Sequence, residues 1–213
     1  MTSRIALIAV DWGTTSMRAY WLDAAGTTVD VRSASRGIQQ IRDGGFAAAL
    51  HELLGTAGEA PVPRLACGMI GSRQGWIEAP YVACPAQLTA LVDGIVAVPG
   101  AGLSIVPGVT TRDASAVPDV MRGEETQLAG AVDAGESRVL AVLPGTHSKW
   151  ACVESGRIVD FMSFMTGELW SVLLAHSILG RMAVPAATPG PPGAAFALGV
   201  RRGLGAGGLG HDI

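Results

Sequence analysis

Twice along this chain a short apolar run breaks at a Gly-Thr turn and is followed by two more strand-like runs and a helix. The first copy has apolar residues 5–10, then Asp11-Trp12-Gly13-Thr14-Thr15-Ser16. Strand-like runs at 17–22 and 27–33 follow, separated by Asp23-Ala24-Ala25-Gly26. Residues 45–54 place Phe46, Ala49, Leu50, Leu53 and Leu54 at helical spacing. The second copy has apolar residues 138–143, then Pro144-Gly145-Thr146-His147-Ser148. Runs at 149–153 and 157–165 flank a Glu154-Ser155-Gly156 turn, and a helix at 169–179 is opened by Thr166-Gly167-Glu168. Short runs bounded by Gly, Ser and Asp read as hairpin strands. A shared order of elements with little shared sequence is the mark of a weak internal repeat. The pattern predicts an α/β chain of two similar halves.

Between the copies the pattern is less regular. Residues 64–70 read as a buried strand ending in a Gly-rich loop, 87–92 as a short helix, 102–106 as a strand and 124–132 as a helix. Asp133-Ala134-Gly135-Glu136-Ser137 is polar and is the expected boundary. It divides the chain into a lobe at 1–134 and the start of a second at 138–213. The segment 185–210 is rich in Pro, Gly and Ala, with a helix expected only at 194–202.

Composition narrows the function. The 213 residues carry 15 basic and 18 acidic side chains, a net charge of −3. There is no basic surplus for nucleic acid. A hydrophobic fraction of 49% excludes a disordered chain. No apolar run reaches the roughly 18 residues of a spanning helix, and no membrane partner is expected. Cys67, Cys84 and Cys152 lie far apart with no paired spacing, as in a reducing cytoplasm. Fourteen of the basic residues are Arg; Lys149 is the one Lys.

The chemistry concentrates at turns. Gly13 lets backbone approach an anion, and Thr14, Thr15 and the turn amides donate to phosphate oxygens. Asp11, at the end of the first strand, can hold Mg²⁺ through water. In the second copy Gly145 and Thr146 form the matching turn, and Lys149 follows as a candidate phosphate contact. Gly71-Ser72-Arg73-Gln74-Gly75-Trp76 offers amides, a hydroxyl, a guanidinium and an indole. Arg73 suits a carboxylate.

Asp11-Trp12-Gly13-Thr14-Thr15 resembles the first phosphate motif of the actin, hexokinase and Hsp70 superfamily. Leu143-Pro144-Gly145-Thr146-His147-Ser148-Lys149-Trp150 resembles its second. That resemblance implies a ribonuclease H-like two-lobe ATPase fold with ATP and Mg²⁺ in the cleft. A narrower likeness runs through Gly68-Met69-Ile70-Gly71-Ser72, Gly75-Trp76, Ala79-Pro80-Tyr81, Met121-Arg122-Gly123-Glu124-Glu125-Thr126-Gln127 and Met165-Thr166-Gly167-Glu168-Leu169. These segments, in this order, resemble the 2-dehydro-3-deoxygalactonokinase family of sugar-acid kinases. The resemblance implies ATP-dependent phosphorylation of 2-dehydro-3-deoxy-D-galactonate on its terminal hydroxyl, in galactonate breakdown, by a cytoplasmic enzyme.

On that reading Asp11 is catalytic and binds the metal. Gly13, Thr14, Thr15, Gly145, Thr146 and Lys149 hold the nucleotide, and Gly71, Ser72, Arg73 and Trp76 hold the sugar acid. Related sugar kinases carry a Gly-Asp pair just before the second lobe. Gly123-Glu124 takes that place here, so Glu124 is the expected base, with Glu125 and Asp119 as alternatives. Two other readings stay open: another sugar kinase of the superfamily, or a non-catalytic nucleotide-binding module.

Nothing after Leu179 resembles the elements that complete the second lobe and form the adenine pocket. The chain is therefore expected to be a truncated member, with Leu140, Val142, Phe161 and Phe164 adding to exposed apolar surface.

Overall fold

The computed structural model describes residues 4–59, 61–133, 135–183 and 190–205. Ala134, within the expected boundary, and the segment 206–213 with His211 lie outside the described residues. The chain divides into two compact units, one ending at Leu169 and one beginning at Trp170.

The first unit opens with β1 (Ile5–Trp12), β2 (Met17–Asp23) and β3 (Thr28–Ala34), followed by helix α1 (Phe46–Leu54). Alternation in β1 buries Ile8, Val10 and Trp12 on one face. Then come β4 (Arg64–Cys67), β5 (Tyr81–Ala83), β6 (Ala86–Gln87), β7 (Val96–Val98) and β8 (Leu103–Ile105). The first sheet has the order β3-β2-β1-β4-β8-β7. β1, β2 and β3 run antiparallel, while β1-β4 and β4-β8 are parallel. Three antiparallel strands continued by two parallel ones form a ribonuclease H-like sheet. Its core packs Ile8, Val10, Trp12, Met17 and Trp21 against Ala49, Leu50, Leu53 and Leu54 of α1. Fully burying a side chain of this size contributes about 1.5–3 kcal/mol.

Two strands that the sequence pattern does not show complete the middle of the unit. These are β9 (Gly108–Arg112) and β10 (Pro118–Met121), which form the order β10-β9-β5. Helix α2 (Glu124–Ala131) follows β10 directly.

The second copy supplies β11 (Val139–Leu143), β12 (Ser148–Glu154) and β13 (Arg157–Phe164), all antiparallel. The middle-region strand β6 pairs with β13, giving the order β11-β12-β13-β6. One face of this sheet buries Ala151, Val153, Ile158 and Phe161 in a second core with Met121 and Leu128. The other face exposes Leu140, Val142, Trp150, Met162 and Phe164. Leu140, Val142 and Phe164 thus lie on the exposed side as expected. Phe161 does not: it points to the opposite face and is 5% exposed.

Helix α3 (Gly167–His176) spans the division between the units. In the second unit α4 (Ile178–Met182) is capped by the Ser177 hydroxyl, which accepts from the Leu179 amide at 3.2 Å. After it comes α5 (Ala194–Gly203). No helix among the described residues is long and apolar enough to cross a membrane.

Candidate active site

The parallel strands β1 and β4 end side by side, with Asp11 paired to Cys67. Glycines bring three turns together just beyond these ends. Gly68 has φ +93°, and a Cβ there would stand 2.8 Å from the carbonyl oxygen of Trp12. Gly123 has φ +109°, and its Cβ would lie 3.3 Å from the Cα of Gly68. Both conformations and both approaches favour glycine. As a result the Asp11 strand end, the Gly68 turn and the N-terminus of α2 converge on one cleft.

That cleft has a volume of about 650 Å³. Asp11, Gly13, Thr14 and Thr15 line one side of it, and Gly145, Thr146 and His147 belong to the same wall set. The two Gly-Thr turns of the repeat therefore face a common space. Glu124, Asp119, Lys149, Tyr81 and Arg122 line it as well.

The two turns are held alike. Gly13 donates its amide to the Ser16 carbonyl at 2.9 Å, and Gly145 donates to the Ser148 hydroxyl at 3.4 Å. The carbonyls of Gly13 and Thr14 accept from the amides of Ile38 and Gln39, at 3.0 and 3.2 Å. Those of Gly145 and Thr146 accept from Gly167 and Glu168, at 3.2 and 3.0 Å. Each turn has its carbonyls occupied by the segment that follows its third strand.

The acidic groups divide by position. Glu124 lines the cleft and accepts from the Arg122 amide at 3.1 Å. Burial raises its pKa; its own amide, Lys149 and the Arg122 amide oppose that shift, while Asp11 adds to it. Asp11 is raised by burial against the opposing charge of Arg18. Two neighbouring carboxyls, each destabilised as an anion by burial, leave a deficit that a cation in the cleft would offset. Among the described residues no group of three or more His, Cys, Asp or Glu could enclose a metal. A single carboxylate such as Asp11, completed by water, would suit Mg²⁺, which retains much of its hydration shell.

Glu125 differs from its neighbour. It is 0% exposed, accepts from the Gly123 amide at 2.7 Å and from the Thr126 hydroxyl at 3.0 Å. Burial pushes its pKa up to about 7. It does not line the cleft, and it fixes the turn that presents Glu124. Asp119 does line the cleft, but its carboxylate accepts from the Ser163 amide and hydroxyl, both at 2.7 Å. Lys149 stands 3.8 Å away.

The residues expected to hold a sugar acid are more scattered. Gly71 and Ser72 are buried, and Trp76 stacks on Phe46 with ring centroids 6.0 Å apart. Arg73 is exposed at the tip of the same loop. The cleft instead receives the two ends of that loop, Gly68-Met69 and Tyr81. Tyr81 lines the cleft although no sequence signal singles it out, and so does the Arg122 that holds it. The Arg122 guanidinium lies 4.2 Å from the Tyr81 ring centroid and donates to its hydroxyl at 3.2 Å and to the Ala79 carbonyl at 2.5 Å. Both occur in quoted motifs, but only the tertiary pairing of β5, β9 and β10 brings them together.

A ribonuclease H-like sheet, with two equivalent Gly-Thr turns facing carboxylates across a cleft, defines the actin/hexokinase type of ATPase fold. Comparison with known proteins narrows this class. The profile of the 2-keto-3-deoxy-galactonokinase family matches residues 11–213, and the chain belongs to that family. It is 39% identical over 206 residues to a probable 2-dehydro-3-deoxygalactonokinase of Rhizobium meliloti, covering 95% of this chain and 67% of that one. It is 38% identical over 205 residues to the 2-dehydro-3-deoxygalactonokinase of Escherichia coli, covering 96% and 67%. A crystal structure of a putative 2-dehydro-3-deoxygalactonokinase from Sinorhizobium meliloti superposes with a TM-score of 0.80 at 39% identity, covering 92% of this chain and 66% of that one. The chain spans about two thirds of the length of these relatives.

Proposed function

We propose that the protein transfers the γ-phosphoryl group of ATP to the terminal hydroxyl of 2-dehydro-3-deoxy-D-galactonate, in galactonate breakdown in the cytoplasm. The observation that carries this reading is the single cleft lined by both Gly-Thr turns, Asp11 and Glu124. Its support is membership of a family whose relatives are named for this reaction.

Phosphoryl transfer depends chiefly on positioning and charge stabilisation. The amides of Thr14, Thr15 and Thr146, with the threonine hydroxyls, cradle phosphate oxygens. Asp11 would hold Mg²⁺ through water, and the ion would supply charge neutralisation at the phosphates. Glu124 takes the proton of the attacking hydroxyl, and burial, by raising its pKa, makes it a stronger base than an exposed carboxylate. The loop from Gly68 to Tyr81 faces the sugar acid. The lobes of this reading meet at 133–137, between α2 and β11.

The test is incubation of the protein with ATP, Mg²⁺ and a panel of 2-keto-3-deoxy sugar acids, with products weighed by mass spectrometry. The expected result is a singly phosphorylated galactonate derivative that Glu124→Gln forms at least about a hundredfold more slowly. A higher kcat/KM with another sugar would assign a different kinase. ATP binding without turnover of any sugar acid would favour the nucleotide-binding module.

A further inference from the structure

Three basic side chains line the cleft, Arg122, His147 and Lys149, and two of them already have an anion beside them. Lys149 is buried, donates to the Val120 carbonyl at 2.6 Å and to the Ser163 hydroxyl, and lies 3.8 Å from Asp119. His147 meets Glu168 at 2.5 Å. Arg122 is buried as well, yet it joins no ion pair among the described residues. Glu124 accepts from its backbone amide, not from its guanidinium. A buried guanidinium with no anion beside it is costly, and an anion brought by a ligand offsets that cost.

The guanidinium is tied into the loop that ends at Tyr81. Its Nε donates to the Tyr81 hydroxyl at 3.2 Å and its Nη2 to the Ala79 carbonyl at 2.5 Å. Its Nη1 has no hydrogen-bond partner and faces Gly71, where a Cβ would stand 2.9 Å from it. Tyr81 brings this charge to the cleft. Its ring is exposed there, with the guanidinium carbon 4.2 Å from the ring centroid. A phenol oxygen accepts one bond while its proton donates another. The Tyr81 oxygen takes the Arg122 Nε–H, and its own proton has no acceptor among the described residues. Linked hydrogen bonds polarise one another, so a phenol that accepts from a cation donates more strongly to an anion.

We propose that Tyr81 reads the carboxylate of the sugar acid: its hydroxyl donates to that group, and Arg122, a positioning residue behind it, fixes the ring and supplies the positive charge. Arg73, whose side chain suits a carboxylate by type, is exposed at the loop tip and is not part of the cleft wall. This inference deepens the kinase reading and rests on it for the identity of the ligand. The other anion of that reaction is a phosphate. The carboxylate fits better, because Tyr81 opens β5 and Arg122 follows β10, whereas the two phosphate-facing turns follow β1 and β11. A neutral sugar of the same shape would leave the Tyr81–Arg122 pair without its anion, so the cleft selects for acids.

The test compares 2-dehydro-3-deoxy-D-galactonate with its methyl ester by isothermal titration calorimetry. The unaltered protein should bind the acid roughly thirtyfold or more tightly than the ester. Tyr81→Phe keeps the ring under the cation and removes the donor. Its preference for the acid should fall roughly tenfold, with the ester affinity changed by less than about threefold. In Arg122→Met the preference should vanish. Binding of a non-hydrolysable ATP analogue should stay within about twofold in both variants.

An acid-to-ester ratio that Tyr81→Phe leaves unchanged overturns the proposal. So does an unaltered protein that binds both compounds equally or does not bind the acid. Equal weakening of acid and ester also overturns it, and makes the pair a support for the loop. A roughly tenfold loss of affinity for the ATP analogue at an unchanged ratio assigns the pair to a phosphate instead. Should Arg122→Met fail to fold, Tyr81→Phe decides alone. Calorimetry needs no turnover. Selective binding of the acid without a phosphorylated product therefore refutes the kinase reading and leaves the carboxylate assignment standing.

Discussion

Gly13 and Gly145 occupy equivalent places in the two halves of the repeat. The carbonyl of Gly13 accepts from the Ile38 amide at 3.0 Å, and that of Gly145 accepts from the Gly167 amide at 3.2 Å. In both halves the segment after the third strand crosses back over the turn at backbone distance. A Cβ on Gly37 would stand 2.2 Å from the Thr15 nitrogen, and one on Gly167 would stand 2.6 Å from the Gly145 oxygen. The nearest atoms are backbone in both places, so no side chain can yield.

The first prediction follows from those distances. Gly37→Ala and Gly167→Ala should each displace a phosphate-facing turn. The expected cost is about 1–3 kcal/mol of stability from overpacking, with a larger proportional loss of kcat than of melting temperature. Gly130→Ala is the control. It sits in α2 with nothing within 4 Å of its Cβ position, and should be neutral or stabilising by up to about 1 kcal/mol. Chemical denaturation and initial rates on the same preparations provide the check.

Asp11 sets function against stability. Burial raises its pKa, so the folded state favours the neutral acid, and its contribution to stability is lost as pH rises through the folded pKa. Asp11→Asn should therefore be at least as stable as the unaltered protein at neutral pH. Its kcat should fall far more than its KM for the sugar acid changes, because organising the metal matters most in the transition state. Steady-state kinetics beside a denaturant titration test both halves; near-normal turnover removes Asp11 from the mechanism.

Glu124 and Glu125 are adjacent in sequence and opposite in expected effect. Glu124→Gln should lower kcat by about 10²–10⁴-fold, the range for a general base, with little change in melting. Glu125 is buried with a pKa moved from 4.5 up to about 7. Its stabilising contribution is whole below 4.5 and disappears as pH rises through 7. In Glu125→Gln the fall in stability between those two pH values should be visibly shallower. Parallel stability–pH curves for the two proteins would contradict the burial of Glu125 as an acid.

The repeat was legible because its signals are local. Gly-Thr turns after apolar runs, hairpin punctuation and helical spacing in α1 each lie within a few residues. Strands β1 to β4, β8 and β11 to β13 all fall where the pattern places them, within a residue or a few at each end. β5 has three residues, β9 and β10 carry Thr, Pro or Asp, and β5 finds its parallel partner β9 some distance along the chain. No period in the chain announces them. The site shows the same limit. Asp11, the turns and Glu124 could be named from motifs, since their backbone positions follow from strand ends and a helix start. Burial of Glu125, the inward engagement of Lys149 and the Tyr81–Arg122 pair depend on that middle sheet.

Tyr81 and Arg122 give the last prediction. Arg122 is 8% exposed, and its guanidinium lies over the Tyr81 ring on the loop proposed to face the sugar acid. It also fixes the loop backbone through the Ala79 carbonyl. The Gly108 position allows this arrangement, because a Cβ there would stand 2.7 Å from Cε1 of the tyrosine ring. Tyr81→Phe keeps the stacked ring and loses one hydrogen bond, worth about 1 kcal/mol. Arg122→Met loses the stacking, the charge and the anchor at Ala79, so its effect should exceed that of Tyr81→Phe by a wide margin. Both variants should raise the KM for the sugar acid and leave the KM for ATP nearly unchanged, since the phosphate turns are on other elements. Steady-state kinetics with each substrate varied in turn measures the split. Equal rises in both KM values would show that Arg122 supports the whole cleft rather than the sugar-acid side of it.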